Sequence, residues 1–303
     1  SYHNGVARMT ARTSKLTVSF AAAILLLAVA GIAHARFLHH VAPQNIPSVR
    51  QPLGSYLGFD RNDYPGNAAL DALAKDFAFS GYWLNAPPGE KSDSWQGKRA
   101  VLRSHGFGFL VLFNGRMDKE LKSAQDPKTL ASTDATAAVN AAKQEGFPRG
   151  TIIFLDQEEG GRMLPEQQAY LYAWIDGVNS SGYKAGVYCS GIAVQESAGV
   201  EIITANDIQN NAHGRKIDFF IYNDVCPPAP GCDLDTVPLL PDQSGVSSAT
   251  AWQFAQSPRR PELTALCPYQ YNSDGNCYAP LPGNQKVFLD LDSAASPDPS
   301  HGR

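Results

Sequence analysis

The chain has 303 residues, of which 43% are apolar, and a formal net charge of −4 at pH 7. This apolar fraction is ordinary for a globular protein. The small negative charge provides no basic field that would attract nucleic acid or an anionic membrane surface. We therefore expect a globular protein that does not bind nucleic acid, with a length that allows one large domain or two small ones.

The first 35 residues have the three parts of a secretory signal. Basic residues precede the apolar run 16–32, and Ala33-His-Ala35 follows with the small-x-small pattern of a cleavage site. Met9 is a natural start position, which would make residues 1–8 an upstream extension. We predict cleavage after Ala35 and export to the cell envelope, the periplasm or the medium, without stable membrane association; the alternative is an uncleaved anchor.

The cysteines fit an exported protein. Cys226 with Cys232 and Cys267 with Cys277 are close in sequence and would form two local disulfides, although four cysteines allow three connectivities. Cys189 lies in an apolar strand pattern, which predicts a buried and unreactive thiol. No histidine lies near either pair at zinc-ligand spacing, so we expect no zinc site there.

Eight short apolar segments recur along the chain, with helical patterns between the early ones. Their near-continuous apolar runs are typical of parallel strands that are covered on both faces. The predicted strands are Tyr56–Phe59, Phe79–Leu84, Phe107–Phe113, Thr151–Leu155, Ala185–Cys189, Asp218–Tyr222, Thr250–Phe254 and Lys286–Leu291. We predict an α/β fold, an irregular (β/α) TIM-type barrel over residues 54–292, with helices missing or short after the fifth strand. Residues 36–53 would be a lead-in and residues 293–303 a polar tail.

Acidic residues recur at the ends of the predicted strands. They are Asp60 after the first strand, Asp156 and Glu158 after the fourth, Asp224 after the sixth, and Asp290 and Asp292 at the eighth. The carboxyl ends of parallel barrel strands meet at one mouth, so we expect these side chains to converge. Crowded carboxyl groups suit glycoside cleavage, because one keeps a proton for the leaving oxygen while another stabilises positive charge on the sugar. The alternative is that each acid only caps a helix or solvates a loop.

Aromatic residues accompany the acids and could stack on the apolar faces of sugars. Those in or near predicted strands are Tyr82, Trp83, Tyr188, Tyr222, Trp252 and Phe254. Core packing is the alternative, and we predict it for Phe254. For Trp252 and Tyr222 the two interpretations stay open, because inward and outward positions alternate along a strand.

Four short motifs, in order, resemble the pattern of the family 25 glycoside hydrolases, which are lysozymes of the bacterial-cell-wall type. They are Gly58-Phe-Asp60, Asp156-Gln-Glu158, Trp252-Gln-Phe254 and Asp290-Leu-Asp292. The early segment Gly58-Phe-Asp-Arg-Asn-Asp-Tyr64 is more similar to a relative, the glycoside-hydrolase-like domain family of unknown function, whose members are often exported. The resemblance implies an irregular barrel that loses its helices towards the C-terminus, and it leaves enzymatic activity open.

By position, the resemblance implies Glu158 as the general acid. It implies Asp156 as the acid that assists the substrate's own N-acetyl group as internal nucleophile, with Asp60 and Asp290 as supporting acids. Asp292 stands where Asn is commoner, and which of Asp290 and Asp292 faces the cleft stays open. The further candidates for substrate contact are Asp292, Trp252, Tyr222, Tyr188, Tyr82 and Arg61. Arg61 and Arg162 lie just past strand ends and could pair with the acids or bind an anionic glycan, but ordinary surface salt bridges are the favoured alternative for both.

The leading interpretation is acid-assisted hydrolysis of a β-linked amino-sugar glycan such as peptidoglycan, without metal or cofactor, by a monomer. The alternative is a catalytically inactive carbohydrate-binding or envelope-associated domain, since fold and motif do not establish activity. A metal-dependent function ranks third, because clustered acids can hold calcium or magnesium but the chain has no calcium-loop motif.

Overall fold

The computed structural model of the chain describes residues 54–224, 240–256 and 289–303. The predicted signal and lead-in, and the candidate disulfide residues Cys226, Cys232, Cys267 and Cys277, lie outside the described residues. Cys189 is buried, as predicted, and burial raises the pKa of its thiol well above the ordinary value. Within the described ranges, every helix is too short or too polar to cross a bilayer.

Eight strands close into a barrel, which confirms the predicted fold class. In chain order the strands are β1 (Tyr56–Asp60), β2 (Phe79–Trp83), β3 (Gly108–Asn114), β4 (Ile152–Asp156), β5 (Lys184–Ser190), β6 (Ala193–Ser197), β7 (Val200–Ile203), β8 (Asp218–Tyr222), β9 (Ala249–Ala255) and β10 (Asp290–Ala294). The barrel order is β1-β10-β9-β8-β5-β4-β3-β2, while β6 and β7 form a separate antiparallel hairpin.

One strand of the barrel runs against the others. Strand β10 pairs antiparallel with both β1 and β9, whereas the remaining barrel neighbours are parallel. The prediction that Asp290 and Asp292 end a parallel eighth strand is therefore wrong, because they lie at its beginning. The acid at position 290 still reaches the mouth, where the other strands end, since Asp290 pairs directly with Asp60.

The helices lie between strands in the first two thirds of the barrel, as predicted. They are α1 (Leu70–Asp76), α2 (Arg99–Ser104), α3 (Asp118–Ser123), α4 (Pro127–Gln144), α5 (Pro165–Ser180) and α6 (Thr204–Asn210). Helix α4 begins at Pro127, because the Asp126 side chain accepts hydrogen bonds from the first-turn amides and proline fits the first helical position. Asp134 lies within α4, where it binds Arg116 and the hydroxyl of Tyr170.

Aromatic rings and glycines fill the barrel below its mouth. A Cβ at Gly58 would lie 2.2 Å from the ring of Phe79, and a Cβ at Gly186 would lie 2.4 Å from the ring of Phe154. Only glycine leaves room for a ring at these places, so the two glycines allow an apolar floor. Phe79 and Phe154, the two rings of this floor, are completely buried.

The C-terminal segment 296–303 is an integral part of the barrel base, which corrects its interpretation as a polar tail. The Ser300 amide donates to the Phe109 carbonyl at 2.8 Å, and the Ile152 amide donates to the Ser300 carbonyl at 2.9 Å. The Val111 amide donates to Ser300 Oγ at 2.8 Å, and the Phe109 amide donates to Asp298 Oδ1 at 2.9 Å. The segment therefore pairs with the edges of β3 and β4 through the backbone and two short side chains.

Candidate active site

A pocket of about 400 Å³ opens at the mouth of the barrel. Its lining residues are Asp60, Asn62, Trp83, Pro88, Leu112, Asp156, Glu158, Tyr188, Phe220, Gln253, Gln256 and Asp290. All four acids that the sequence proposes as catalytic lie together here, although they come from the ends of β1 and β4, the loop after β4, and the start of β10. The barrel thus gathers side chains that are far apart in the sequence.

Glu158 has the most accessible carboxyl group of the four. Its side chain is exposed, whereas Asp60 and Asp156 each retain only 6% exposure. Among the described residues, no hydrogen bond or ion pair engages the Glu158 carboxyl group, so Arg61 and Arg162 do not cover it. Partial burial and the nearby charge of Glu159 raise its pKa above the ordinary value, which favours its protonated form.

Glu158 also connects the pocket to two neighbouring depressions. One, of about 790 Å³, extends along the loop after β3 and is lined by Asn114, Arg116 and Met117 among others. The other, of about 560 Å³, extends over the ends of β5 and β8 and includes Tyr222. Because Glu158 lines all three, the pocket and the two depressions meet at this side chain, and together they are called the cleft below.

Asp156 lies deeper than Glu158 in the same cleft. Its carboxyl oxygen Oδ1 is buried and has no hydrogen-bond partner among the residues that the structure describes. Burial, and then the charges of Glu158 and Asp60, raise the pKa of Asp156 well above its ordinary value. The surroundings of this carboxyl group therefore favour its protonated form unless a ligand supplies a compensating charge or hydrogen bond.

Asp60 is held in place by an amide. Gln253 Nε2 donates to Asp60 Oδ2 at 2.7 Å, while the Tyr188 hydroxyl donates to Gln253 Oε1 at 2.8 Å. Burial raises the pKa of Asp60 to about 6, although the hydrogen bonds from Gln253 and Asp292 oppose the increase. Asp60 is therefore mostly ionised at neutral pH, with its orientation fixed by β9 and β5.

Asp290 and Asp292 differ in depth. Asp290 lines the pocket, whereas Asp292 is 0% exposed and lies below it, opposite Gly58. The proposal that Asp292 contacts substrate is therefore wrong: Asp290 is the member of the pair that faces the cleft.

Of the predicted aromatic contacts, two lie in the cleft and two do not. Tyr188 lines the central pocket, and Tyr222 lines the depression beside it. Tyr82 is fully buried among helices, where its hydroxyl donates to Glu145 at 2.5 Å. Trp252 retains 2% exposure and donates its indole N–H to the Asn223 carbonyl at 2.9 Å. Both side chains point away from the barrel interior and have no free face for a sugar, so their proposed role in binding is wrong.

The polar and aromatic residues that replace them are neighbours in sequence. Trp83 follows Tyr82 and lines the pocket, with its indole N–H donated to the Arg61 carbonyl at 3.0 Å. Gln253 follows Trp252 and binds Asp60. Side chains alternate between the two faces of β2 and of β9. The alternation would identify both residues if the sequence also showed which positions of each strand point inward.

The two arginines considered as anion contacts do not line the pocket. Arg162 binds Glu196 on the β6–β7 hairpin at 2.5 Å and Asp207 on α6 at 3.1 Å, which confirms the salt-bridge alternative. Glu159 likewise points away, since its carboxylate accepts from the Asp118 amide and from Gln167. In the parts of the chain that the structure describes, no group of His, Cys, Asp and Glu has the arrangement of a metal site.

The comparisons with known proteins agree with the motif-based resemblance. Residues 88–229 match the family model described as the Rv2525c-like, glycoside hydrolase-like domain. This match confirms the predicted resemblance to the glycoside-hydrolase-like domain family, and the matched residues include Asp156 and Glu158. No curated protein matches the chain.

Solved structures are similar to the chain at low sequence identity. A crystal structure of an uncharacterized B. stearothermophilus protein has 16% identity and a TM-score of 0.50, over 79% of this chain and 95% of that one. The Mycobacterium tuberculosis Tat-secreted protein Rv2525c, in complex with L-tartrate, has 14% identity and a TM-score of 0.47, over 81% of this chain and 97% of that one. The Clostridium perfringens spore cortex lytic enzyme SleM has 15% identity and a TM-score of 0.48, over 81% of this chain and 69% of that one.

Proposed function

We propose that this chain hydrolyses a β-linked amino-sugar glycan such as peptidoglycan, with Glu158 as the general acid. The observation that carries the proposal is the environment of the Glu158 carboxyl group. This group is open to the cleft and forms no ion pair among the described residues, and its pKa lies above the ordinary value. A general acid must reach the leaving oxygen and hold a proton near the working pH. The position of Glu158 suits the first requirement and the direction of its pKa shift suits the second, while the family match supports glycoside chemistry.

The other acids have supporting roles in this proposal. Asp156 lies beside Glu158. It would accept a hydrogen bond from the substrate's N-acetyl group and orient that group as the internal nucleophile. Asp60 is mostly ionised and Asp290 faces the same pocket, so both would stabilise positive charge that develops on the sugar. Tyr188, Tyr222 and Trp83 border the cleft and offer ring surface or hydroxyl groups to the sugar.

The shape of the cleft favours a polymer over a single sugar. The depressions on either side of Glu158 extend the pocket towards α3 and towards the end of β8. A chain of sugars could occupy both sides while the bond to be cleaved lies at Glu158. We propose that cleavage is internal to the chain rather than at its end.

Export is part of the proposal. The basic, apolar and small-residue parts of residues 1–35 support cleavage after Ala35 and release of the mature protein to the cell envelope or beyond. Disulfides between Cys226 and Cys232 and between Cys267 and Cys277 would suit that compartment. N-terminal sequencing of the protein recovered from its host tests the cleavage position, and thiol counting before and after reduction tests the disulfides.

Incubation of the mature protein with purified cell-wall polymers tests the function. We expect new reducing ends from a β-linked amino-sugar polymer such as peptidoglycan or chitin, and none from α-linked glucans. Mass spectrometry of the soluble products would identify the cleaved linkage. Binding to a polymer without release of any product, over a range of pH, would reject the hydrolase.

A binding module is the second candidate, and the buried state of Asp156 favours it. A neutral carboxyl group gives little stabilisation to positive charge, and the pKa of Asp156 lies well above its ordinary value. In a binding module, a protonated Asp156 would donate a hydrogen bond to a sugar oxygen. Co-sedimentation with insoluble peptidoglycan, measured beside product release, separates the two functions.

Replacing Gln253 with leucine is expected to raise the pKa of Asp60 above its value of about 6, because the variant loses the 2.7 Å hydrogen bond that favours the ionised carboxylate. The titration of the carboxyl carbon by NMR measures this change directly. If cleavage needs ionised Asp60, the acidic limb of the pH dependence of kcat/KM moves to higher pH by the same amount.

Gln256→Leu is the matched control for this prediction. Gln256 donates to Gln253 Oε1 and to the Tyr188 hydroxyl and has no hydrogen bond with Asp60. Its replacement should leave the titration of Asp60 nearly in place. An unchanged titration in Gln253→Leu would contradict the role given to this amide.

A further inference from the structure

A buried carboxyl pair lies directly beneath the cleft. Asp60 and Asp290 face each other across the β1–β10 pairing, and Asp292 is the next residue inward on the same face of β10. The residue opposite Asp292 is Gly58, and the ring of Phe79 occupies the space that a side chain at Gly58 would take. Asp60 and Asp292 are diagonal neighbours on the inner face of the β1–β10 pairing, and their carboxyl groups interact electrostatically.

The pair cannot carry two negative charges at low energetic cost. Asp292 is 0% exposed, and neither of its carboxyl oxygens receives a hydrogen bond from an N–H or O–H donor of the described residues. The groups that act on it are also acids, Asp60 on β1 and Asp290 on β10, while β9 presents the neutral Gln253. Asp156 on β4 interacts electrostatically with Asp60, and Tyr188 on β5 is a neutral neighbour whose hydroxyl donates to Gln253. One proton must therefore remain in the pair.

The hydrogen-bond donors decide which carboxyl group keeps that proton. Gln253 donates to Asp60 and stabilises its charged form, whereas no N–H or O–H group in the described parts of the chain donates to Asp292. We propose that Asp292 is a positioning residue that retains a proton and donates it in a hydrogen bond to Asp60. The directions agree, since burial raises the pKa of Asp292 well above its ordinary value and that of Asp60 only to about 6.

A proton on Asp292 affects the orientation and charge of Asp60 in the cleft. With Gln253 on one side and protonated Asp292 on the other, Asp60 keeps one orientation and its negative charge while facing the pocket. Loss of the proton would place a second buried charge next to Asp60 and remove one of its two donors. The catalytic meaning of this arrangement rests on the proposed hydrolase, but the protonation does not, and it can be measured without substrate.

Infrared spectroscopy tests the assignment directly. A protonated carboxyl group has a C=O stretch separate from that of a carboxylate, and we expect such a band in the wild type at neutral pH. Asp292→Asn should remove one component of this band, because asparagine donates a hydrogen bond to Asp60 without a titrating proton. Asp156→Asn should remove a different component, and Asp63→Asn, at an exposed carboxyl group, should remove none.

The pH dependence of stability gives a second readout. The folded pKa of Asp292 lies above its unfolded value, so its stabilising contribution is complete below the unfolded pKa of about 3.9 and is lost as pH rises towards the folded pKa. Asp292→Asn should therefore flatten the decrease in the free energy of unfolding over that range, as measured by urea denaturation. Circular dichroism would verify that the variant is folded.

Two results would overturn the proposal. One is a protonated-carboxyl band that Asp292→Asn leaves unchanged while the variant is folded. The other, which needs no variant, is an NMR titration of the wild type in which Asp292 loses its proton at lower pH than Asp60. If the variant fails to fold, this wild-type titration decides. Absence of glycan cleavage would reject the hydrolase but leave these measurements intact.

Discussion

Glu158→Gln is expected to slow glycan cleavage by about 100- to 10,000-fold, the contribution that a positioned general acid makes to a reaction. The amide keeps the shape of the side chain but cannot deliver a proton to the leaving oxygen. Because the carboxyl group is exposed and forms no hydrogen bond or ion pair among the described residues, the substitution should not affect folding. Initial rates of reducing-end release measure the loss, and co-sedimentation measures binding, which should persist.

Glu159→Gln is the matched control. The Glu159 carboxylate accepts hydrogen bonds from the Asp118 amide and from Gln167, and it points away from the pocket. Since its charge raises the pKa of Glu158, its removal should move the alkaline limb of the pH profile to lower pH while most of the maximal rate remains. A Glu158→Gln variant that retains more than about a tenth of the wild-type rate would place the acid elsewhere in the cleft.

The convergence of the acids could be predicted from sequence because it depends only on where strands end. Asp60, Asp156 and Glu158 each follow a short apolar run, and parallel barrel strands end at the same rim. Asp290 lies at the rim for a different reason from the predicted one, which was the end of a parallel strand. An antiparallel β10 begins where the others end, and strand direction leaves no trace in an apolar run.

The aromatic contacts show where the sequence signal stops. Tyr82 and Trp83 are adjacent, as are Trp252 and Gln253, and in each pair the second residue faces the cleft. In a half-exposed strand the polar residues reveal which face points outward. Here helices or loops cover the outside of the barrel, so both faces of a strand are apolar. The sequence pattern therefore does not show which residues of the strand point into the barrel.

The polar composition of the C-terminal segment is also misleading, because it does not show that the segment belongs to the barrel base. Its composition is polar, with Pro297, Asp298 and Ser300 among its residues, and such composition is typical of a tail. Its contacts are mostly backbone hydrogen bonds, which depend on the path of the chain and not on side-chain hydrophobicity. Ser300 is nevertheless completely buried, because its hydroxyl group and backbone are both satisfied.

Removal of residues 296–303 is expected to lower the free energy of unfolding by at least about 3 kcal/mol. The truncation leaves the amides of Phe109, Val111 and Ile152 without their acceptors, and each unmade buried hydrogen bond costs about 1–3 kcal/mol. Because a domain has only about 5–15 kcal/mol of stability, this loss is a large fraction of the total. Urea denaturation of the full-length and truncated proteins measures it.

Gly108→Ala tests whether the segment itself, and not the strand edge, carries this stability. A Cβ at Gly108 would lie 2.0 Å from the Pro297 carbonyl oxygen and 2.7 Å from Asp298 Cα, so the substitution should displace the segment and cost several kcal/mol in the full-length chain. In the truncated chain the same substitution meets no such obstacle and should cost much less, which gives a large coupling energy between the two changes. Gly160→Ala, where the nearest atom is 3.6 Å from the added Cβ, should be nearly neutral in both. If Gly108→Ala lowers the free energy of unfolding equally in the two chains, the segment does not stabilise the base of β3. Closure of the barrel would then depend on the strand pairing alone.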